Sequence, residues 1–178
     1  MGCVQQRNGM MGRLLLMRHG KSDWNADFET DHDRPINERG ERAAQAIGLL
    51  LKGREAHEPE LILCSTARRT RETLECVRAA SAWNGVETEY LDALYLAAPT
   101  RAVRLLAEHT RRASVLMIVG HQPTLAGMLA LLTGGNQVTY PTAALAIVDF
   151  DEHDWMEGRL RGQGTLNALI PPRILASG

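Results

Sequence analysis

The sequence predicts an α/β fold, a three-layer α/β/α sandwich around a mostly parallel central sheet. Four short runs are apolar throughout instead of alternating: Leu14–Met17, Leu61–Cys64, Val115–Val119 and Ala143–Val148. Strands buried on both faces have that pattern. Helical patterns fall between the runs, and alternation of strand with helix is what a parallel sheet requires. At 178 residues, 44% of them hydrophobic, one domain can bury a core without disulfide or metal staples.

The first run, Leu14–Met17, is read as a strand. It feeds a long polar connection from Gly20 to Ile36, and loops beyond about 12–15 residues in compact domains are often functional. Asn37 is a plausible cap for a helix with Ala43, Ala44, Ile47, Leu50 and Leu51 at three- and four-residue spacing, and Gly53 is its stop. After the second run, the segment from Ser65 to about Ala80 carries an Ala67, Thr70, Leu74 and Val77 stripe. Pro99 opens a helix bearing Val103, Leu105 and Leu106. In the third run Val115, Ile118 and Val119 favour a strand. Pro123 then stands at the first turn of a helix running to Gly134. No repeat or linker divides the chain, so residues 13–178 read as a single domain. Residues 1–12, with Met10 and Met11 close behind Met1, read as a ragged or disordered start.

Composition excludes several classes of function. Twenty Lys+Arg against 21 Asp+Glu give a net charge of −1, which argues against a nucleic-acid binder. Aromatic residues at 4% leave little for base stacking. No apolar run approaches the roughly 18 residues of a membrane span. Cys3, Cys64 and Cys76 are an odd number without a CxxC pair, which fits a reducing cytoplasm.

Ligands of open α/β sheets bind beyond the carboxyl ends of the strands. Arg18-His19-Gly20 follows the first apolar run, Ser65-Thr66-Ala67-Arg68-Arg69 the second, and Gly120-His121-Gln122-Pro123 the third. Arginine offers a planar fork of donors that matches phosphoryl oxygens. Histidine, neutral near pH 7, can attack phosphorus or carry a proton. Two arginines and two histidines around a phosphoryl group would stabilise its charge during in-line transfer without a metal or other cofactor. Helical spacing puts Ser65, Arg69 and Thr73 on one face, so Arg69 is expected in the pocket and Arg68 and Arg71 in solvent. Cys64 lacks the arginine six residues on that a cysteine phosphatase places there, since that position is Thr70; it reads as a small buried residue. Asp31-His32-Asp33 lacks the further ligands of a metal site and reads as shaping the long loop or meeting substrate. His57, His109 and His153 are expected to be exposed and without function.

The ordered set Leu16-Met17-Arg18-His19-Gly20-Lys21-Ser22-Asp23-Trp24-Asn25, Asp31-His32-Asp33-Arg34-Pro35-Ile36-Asn37-Glu38-Arg39-Gly40, Cys64-Ser65 with Arg69 and Thr73, Leu94-Tyr95, Val119-Gly120-His121-Gln122-Pro123 and Pro141-Thr142 resembles the histidine phosphatase superfamily. It covers most of the chain from about 13 to 150, and is most similar to the short SixA-type phosphohistidine phosphatases. The resemblance implies a phosphoglycerate-mutase-like fold, His19 as nucleophile, and Arg18, Arg69 and His121 as phosphoryl ligands. It also implies a phosphate contact at Asn25. Members acting on alkyl phosphates supply an acid from the stretch that here reads Glu87 to Tyr95, where Asp92 is the candidate. A weak or missing acid would favour P–N substrates, because a leaving imidazole can take its proton from solvent. The expected substrate is therefore phosphohistidine on a protein, with neither nucleic acid nor membrane as partner. The alternatives are a small-molecule phosphomonoesterase and a phosphate-binding module without turnover.

Overall fold

The computed structural model describes residues 11–175. The expectation of a ragged start falls mostly on residues outside that span, and Gly12 already belongs to the first strand. Six strands form one sheet: β1 (Gly12–Arg18), β2 (Leu61–Ser65), β3 (Glu87–Leu91), β4 (Val115–Gly120), β5 (Leu145–Phe150) and β6 (Thr165–Ile170), in the order β3-β2-β4-β1-β5-β6. The first four strands of that order are parallel, β5 joins antiparallel to β1, and β6 joins antiparallel to β5. The helices are α1 (Glu38–Leu51), α2 (Arg68–Ser81), α3 (Pro99–Ala107), α4 (Thr124–Thr133) and α5 (Glu152–Met156). None of the described helices is long and apolar enough to cross a membrane.

The apolar run of β1 serves two cores at once. Leu14 and Leu16 pack with Val103, Leu106, Leu125 and Leu129 of α3 and α4. Leu15 and Met17 pack on the other face with Ala44, Ile47, Leu74 and Val77 of α1 and α2. Successive strand side chains point to opposite faces, so a helix layer on each side demands the unbroken hydrophobicity seen in the sequence. Asn37 caps α1, its side chain accepting from the Gly40 N–H.

Three expectations need correction. Ser65 is the last residue of β2 and α2 begins at Arg68, so Ser65 does not share a helical face with Arg69 and Thr73. The fourth apolar run becomes a strand only at Leu145, because Ala143 holds a left-handed conformation (φ 57°). His57 and His109 are half-buried; His109 lies 3.3 Å from the Glu89 carboxylate. The edge strands β3 and β6 and the short α5 are additions that the apolar runs do not announce.

Candidate active site

Register places the site. Arg18 at the end of β1 lies opposite Gly120 of β4, and Cys64 of β2 lies opposite Val119. Three parallel strands therefore end side by side and deliver Arg18, His19, Ser65 and His121 to one edge. Because β5 runs the other way, its approach, Pro141 to Ala144, arrives at the same edge. The His19 backbone is pinned from both sides: its N–H donates to the Gly120 carbonyl (3.1 Å) and its carbonyl accepts from the Ala143 N–H (3.0 Å). The next residue is held by α2, through a Gly20 N–H bond to Thr73 Oγ1 at 2.8 Å. Here α1 comes very close. A Cβ on Gly20 would sit 2.9 Å from the Gly40 carbonyl oxygen, and one on Gly40 would sit 2.5 Å from that of Lys21. Only glycine fits that crossing.

Hydrogen bonds assign roles to the two imidazoles. His19 Nδ1 lies 2.7 Å from the Gly20 carbonyl, an acceptor only, so Nδ1 carries the proton and Nε2 keeps its lone pair. His121 Nε2 lies 2.9 Å from Ser65 Oγ, which accepts from the Ala67 N–H at 3.5 Å. With the serine hydroxyl donating, the His121 proton sits on Nδ1. The ring centroids of His19 and His121 are 5.2 Å apart.

Among the described residues four buried side-chain polar atoms have no hydrogen-bond partner: Arg18 Nε, Arg69 Nε, His121 Nδ1 and His57 Nδ1. Buried donors are otherwise nearly always paired, and an unpaired one costs about 1–3 kcal/mol. Three of the four belong to side chains lining one pocket of about 310 Å3, together with His19, Ser22, Trp24, Asp31, Arg34 and Leu96. Three side chains with unpaired donors thus share this lining with His19, a set that a phosphoryl dianion could satisfy.

Electrostatics fit the same reading. Burial lowers the His19 pKa to about 4, and the neighbouring charges of Arg69, Arg18 and Arg34 push the same way against the Gly20 hydrogen bond. Burial lowers that of His121 to about 3, assisted by His19 and Arg69. Both rings are therefore neutral at pH 7, the state in which an imidazole can act as a nucleophile or a neutral donor. Partial burial alone would raise the Asp31 carboxyl. The hydrogen bond from Arg34, the charge of Arg69 and the hydrogen bond from Tyr95 outweigh it, and the net shift is downward.

The histidine phosphatase superfamily (branch 1) matches residues 14–95 of the chain. A putative phosphohistidine phosphatase SixA from Agrobacterium tumefaciens superposes with a TM-score of 0.75 at 32% identity, over 89% of this chain and 97% of that one. The chain belongs to the histidine phosphatase superfamily. A protein histidine phosphatase SixA, solved in complex with tungstate, gives a TM-score of 0.78 at 26% identity, over 92% of this chain and 99% of the other. An uncharacterized protein of Mycobacterium tuberculosis is 34% identical over 77% of this chain and 89% of its own length.

In this histidine phosphatase the pocket holds His19, Arg18, Arg69 and His121 together, as the sequence predicts. It does not hold Asn25 or Asp92. Asn25 is exposed, and its backbone N–H donates to Asp23 Oδ1 at 2.9 Å. Asp92 is also exposed and accepts from Thr66 Oγ1 at 2.6 Å, which lies 3.0 Å from His32 Nε2. Asp92, Thr66 and His32 form a chain of contacts, and none of the three lines the pocket.

Sequence reasoning gave Arg34 and Tyr95 no role in the site, and read Asp31 only as part of a tripeptide that shapes the long loop or meets substrate. The long loop folds into a single 3-10 turn over Asp31–Asp33. Asp31 there meets Arg69 through its carbonyl (2.5 Å) and carboxylate (3.0 Å), and accepts from Tyr95 Oη at 3.1 Å. Arg34 is buried, donates to Asp31 Oδ1 at 2.7 Å and stacks its guanidinium 3.7 Å from the Trp24 ring centroid. The available signal was a third arginine in a functional loop, Asp31-His32-Asp33-Arg34-Pro35.

Proposed function

We propose that this phosphatase hydrolyses phosphohistidine borne on a protein, through a phosphohistidine intermediate at His19 and without a metal ion. His19 Nε2 attacks phosphorus, and the P–N bond to the substrate imidazole breaks as that imidazole takes a proton from solvent. The phosphoryl group now sits on His19. Water then attacks phosphorus, loses a proton, and the P–Nε2 bond breaks to release orthophosphate and neutral His19. Throughout, Arg18, Arg69 and the His121 Nδ1–H stabilise the charge on the phosphoryl oxygens.

The observation that carries the choice of substrate is the state of Asp31. It is the carboxylate in the pocket lining, it is tied to Arg34, Arg69 and Tyr95, and it is held ionised. An alkoxide leaving group needs a protonated acid beside it, whereas imidazole, with a free pKa of about 6.5, does not. The rim adds support for a large substrate: Trp24 and Leu96 line the pocket and are 66% and 65% exposed. The likeness to SixA proteins points the same way.

The test is a panel of phosphohistidine peptides, aryl phosphates and sugar phosphates at matched concentration. Phosphohistidine should exceed alkyl phosphates by about 100-fold or more in kcat/KM. His19→Ala should lose at least about 10^4-fold of the activity and all acid-labile labelling of the enzyme with phosphate. Comparable turnover of alkyl phosphates would instead make the protein a small-molecule phosphomonoesterase. Full activity in His19→Ala would remove the mechanism altogether.

A further inference from the structure

A second cavity, of about 430 Å3, adjoins the catalytic pocket. Its walls are one face of α1, the loop at Pro141 and Thr142, and the segment Pro171–Arg173 that follows β6. On α1 the lining positions are Arg39, Arg42, Ala43 and Ala46, spaced as one helical stripe. The two alanines keep the floor low where longer side chains would fill it. Lys21 and Thr142 line both cavities, so the two spaces share a wall.

The charge is one-sided. Lys21, Arg39, Arg42 and Arg173 border the cavity and no carboxylate lines it. Among the described residues Lys21, Arg39 and Arg173 have no ion-pair partner. Arg42 meets Glu38 at 3.3 Å, with both side chains largely exposed, a pairing worth little. A chain of net charge −1 has no general excess of cations to scatter. Four of them around one concavity form a positive potential that an anion would complete.

We propose that this cavity is a specificity subsite for Asp and Glu side chains flanking the phosphorylated residue of the protein substrate. The proposal rests on the protein-substrate reading above. A phosphorylated side chain held by Arg18, Arg69 and His121 leaves its own main chain at the pocket mouth. An extended segment crossing the wall at Lys21 and Thr142 then enters the basic cavity. The prolines and alanines of the floor offer it no competing carboxylate, and the rim cations are exposed on long side chains.

The experiment compares phosphohistidine peptides of equal length with acidic, neutral or basic flanks. They are tested on the wild-type protein and on the triple variant Arg39→Ser/Arg42→Ser/Arg173→Ser, with 4-nitrophenyl phosphate as a substrate too small to reach the cavity. The wild type should favour acidic flanks by about tenfold in kcat/KM, mostly through KM, and the preference should fade at about 0.5 M salt. The triple variant should lose the preference while its turnover of 4-nitrophenyl phosphate stays within about twofold, which also shows that it folds. Peptides cleaved at equal rates whatever their flanks would overturn the subsite and leave the protein-substrate reading standing. If no phosphopeptide is cleaved while small bis-anionic phosphates are, and the triple variant loses affinity for those, both readings fall.

Discussion

Two arginines on the same strand, five residues apart, have opposite fates. Arg13, near the amino end of β1, is fully paired. It donates to both oxygens of Asp149 (2.6 and 2.9 Å) and to the Ala56 carbonyl (2.9 Å), and Asn167 completes the Asp149 carboxylate at 2.7 Å. The Asp149 hydrogen bond holds the Arg13 guanidinium above its usual pKa. Arg18, at the carboxyl end, makes one bond to the Tyr140 carbonyl (2.6 Å) and leaves Nε unpaired. Burial pulls its pKa down. One end of the sheet is electrostatically closed and the other is held open for an anion. Residue type does not distinguish structural from functional arginine here; what the protein supplies as partner does.

The sharpest way to break that contrast is to remove each cation while keeping its stem. Arg18→Met and Arg69→Met should each lower kcat/KM by about 10^2–10^3-fold, or about 3–4 kcal/mol of transition-state stabilisation. Denaturant unfolding of Arg18→Met should show stability unchanged or increased, because an incompletely satisfied buried charge is gone, whereas Arg69→Met also takes a partner from the Asp31 carboxylate and should lose stability. Arg13→Met should do the reverse. Its loss leaves Asp149 short of a partner and should cost about 2–3 kcal/mol of stability, while kcat/KM per folded molecule stays the same. If Arg13→Met abolished activity, or Arg18→Met merely unfolded the protein, the two ends would not differ as described.

A second contrast separates the ends by pH. His19 and His121 have folded pKa values of about 4 and about 3, below the free value near 6.5. The unfolded chain therefore takes up protons that the folded site refuses, and stability falls as pH drops below about 6.5. At the other end, burial acts to raise the Asp149 carboxyl, but the hydrogen bonds from Arg13 and Asn167 prevail and lower it. Its contribution is present above the ordinary carboxylate range and is lost only as pH falls below about 4. Unfolding measured across pH 3 to 8 should show the histidine slope in the wild type and a reduced one in His121→Gln. In Arg69→Met, both site imidazoles should titrate at higher pH by NMR, since the Arg69 charge depresses both.

The site was more legible than its surroundings. Arg18, His19 and His121 follow directly on apolar runs, so strand ends alone place them, and Arg69 sits one short turn beyond another. Asp31 and Arg34 were not legible in the same way, because their partners lie far along the chain: Arg69 and Tyr95 for the one, the Trp24 ring for the other. Asn25 and Asp92 rested on resemblance without a strand end to place them, and both lie outside the pocket lining. The edge strands were hidden because β3 reads Glu-Thr-Glu-Tyr-Leu and is mostly accessible, so it carries no continuous apolar signal.

By itself the sequence determined the layered α/β class, the four central strands and which chemistry gathers at their carboxyl ends. Periodicity and burial are local properties, and a strand end needs no knowledge of distant residues. Only the tertiary structure decided which cations stay unpaired, which nitrogen of His19 keeps its lone pair, and that a second basic cavity shares a wall with the first. Those facts depend on partners brought together from separate elements, and hydrogen-bond satisfaction is settled only where the chain finally meets itself.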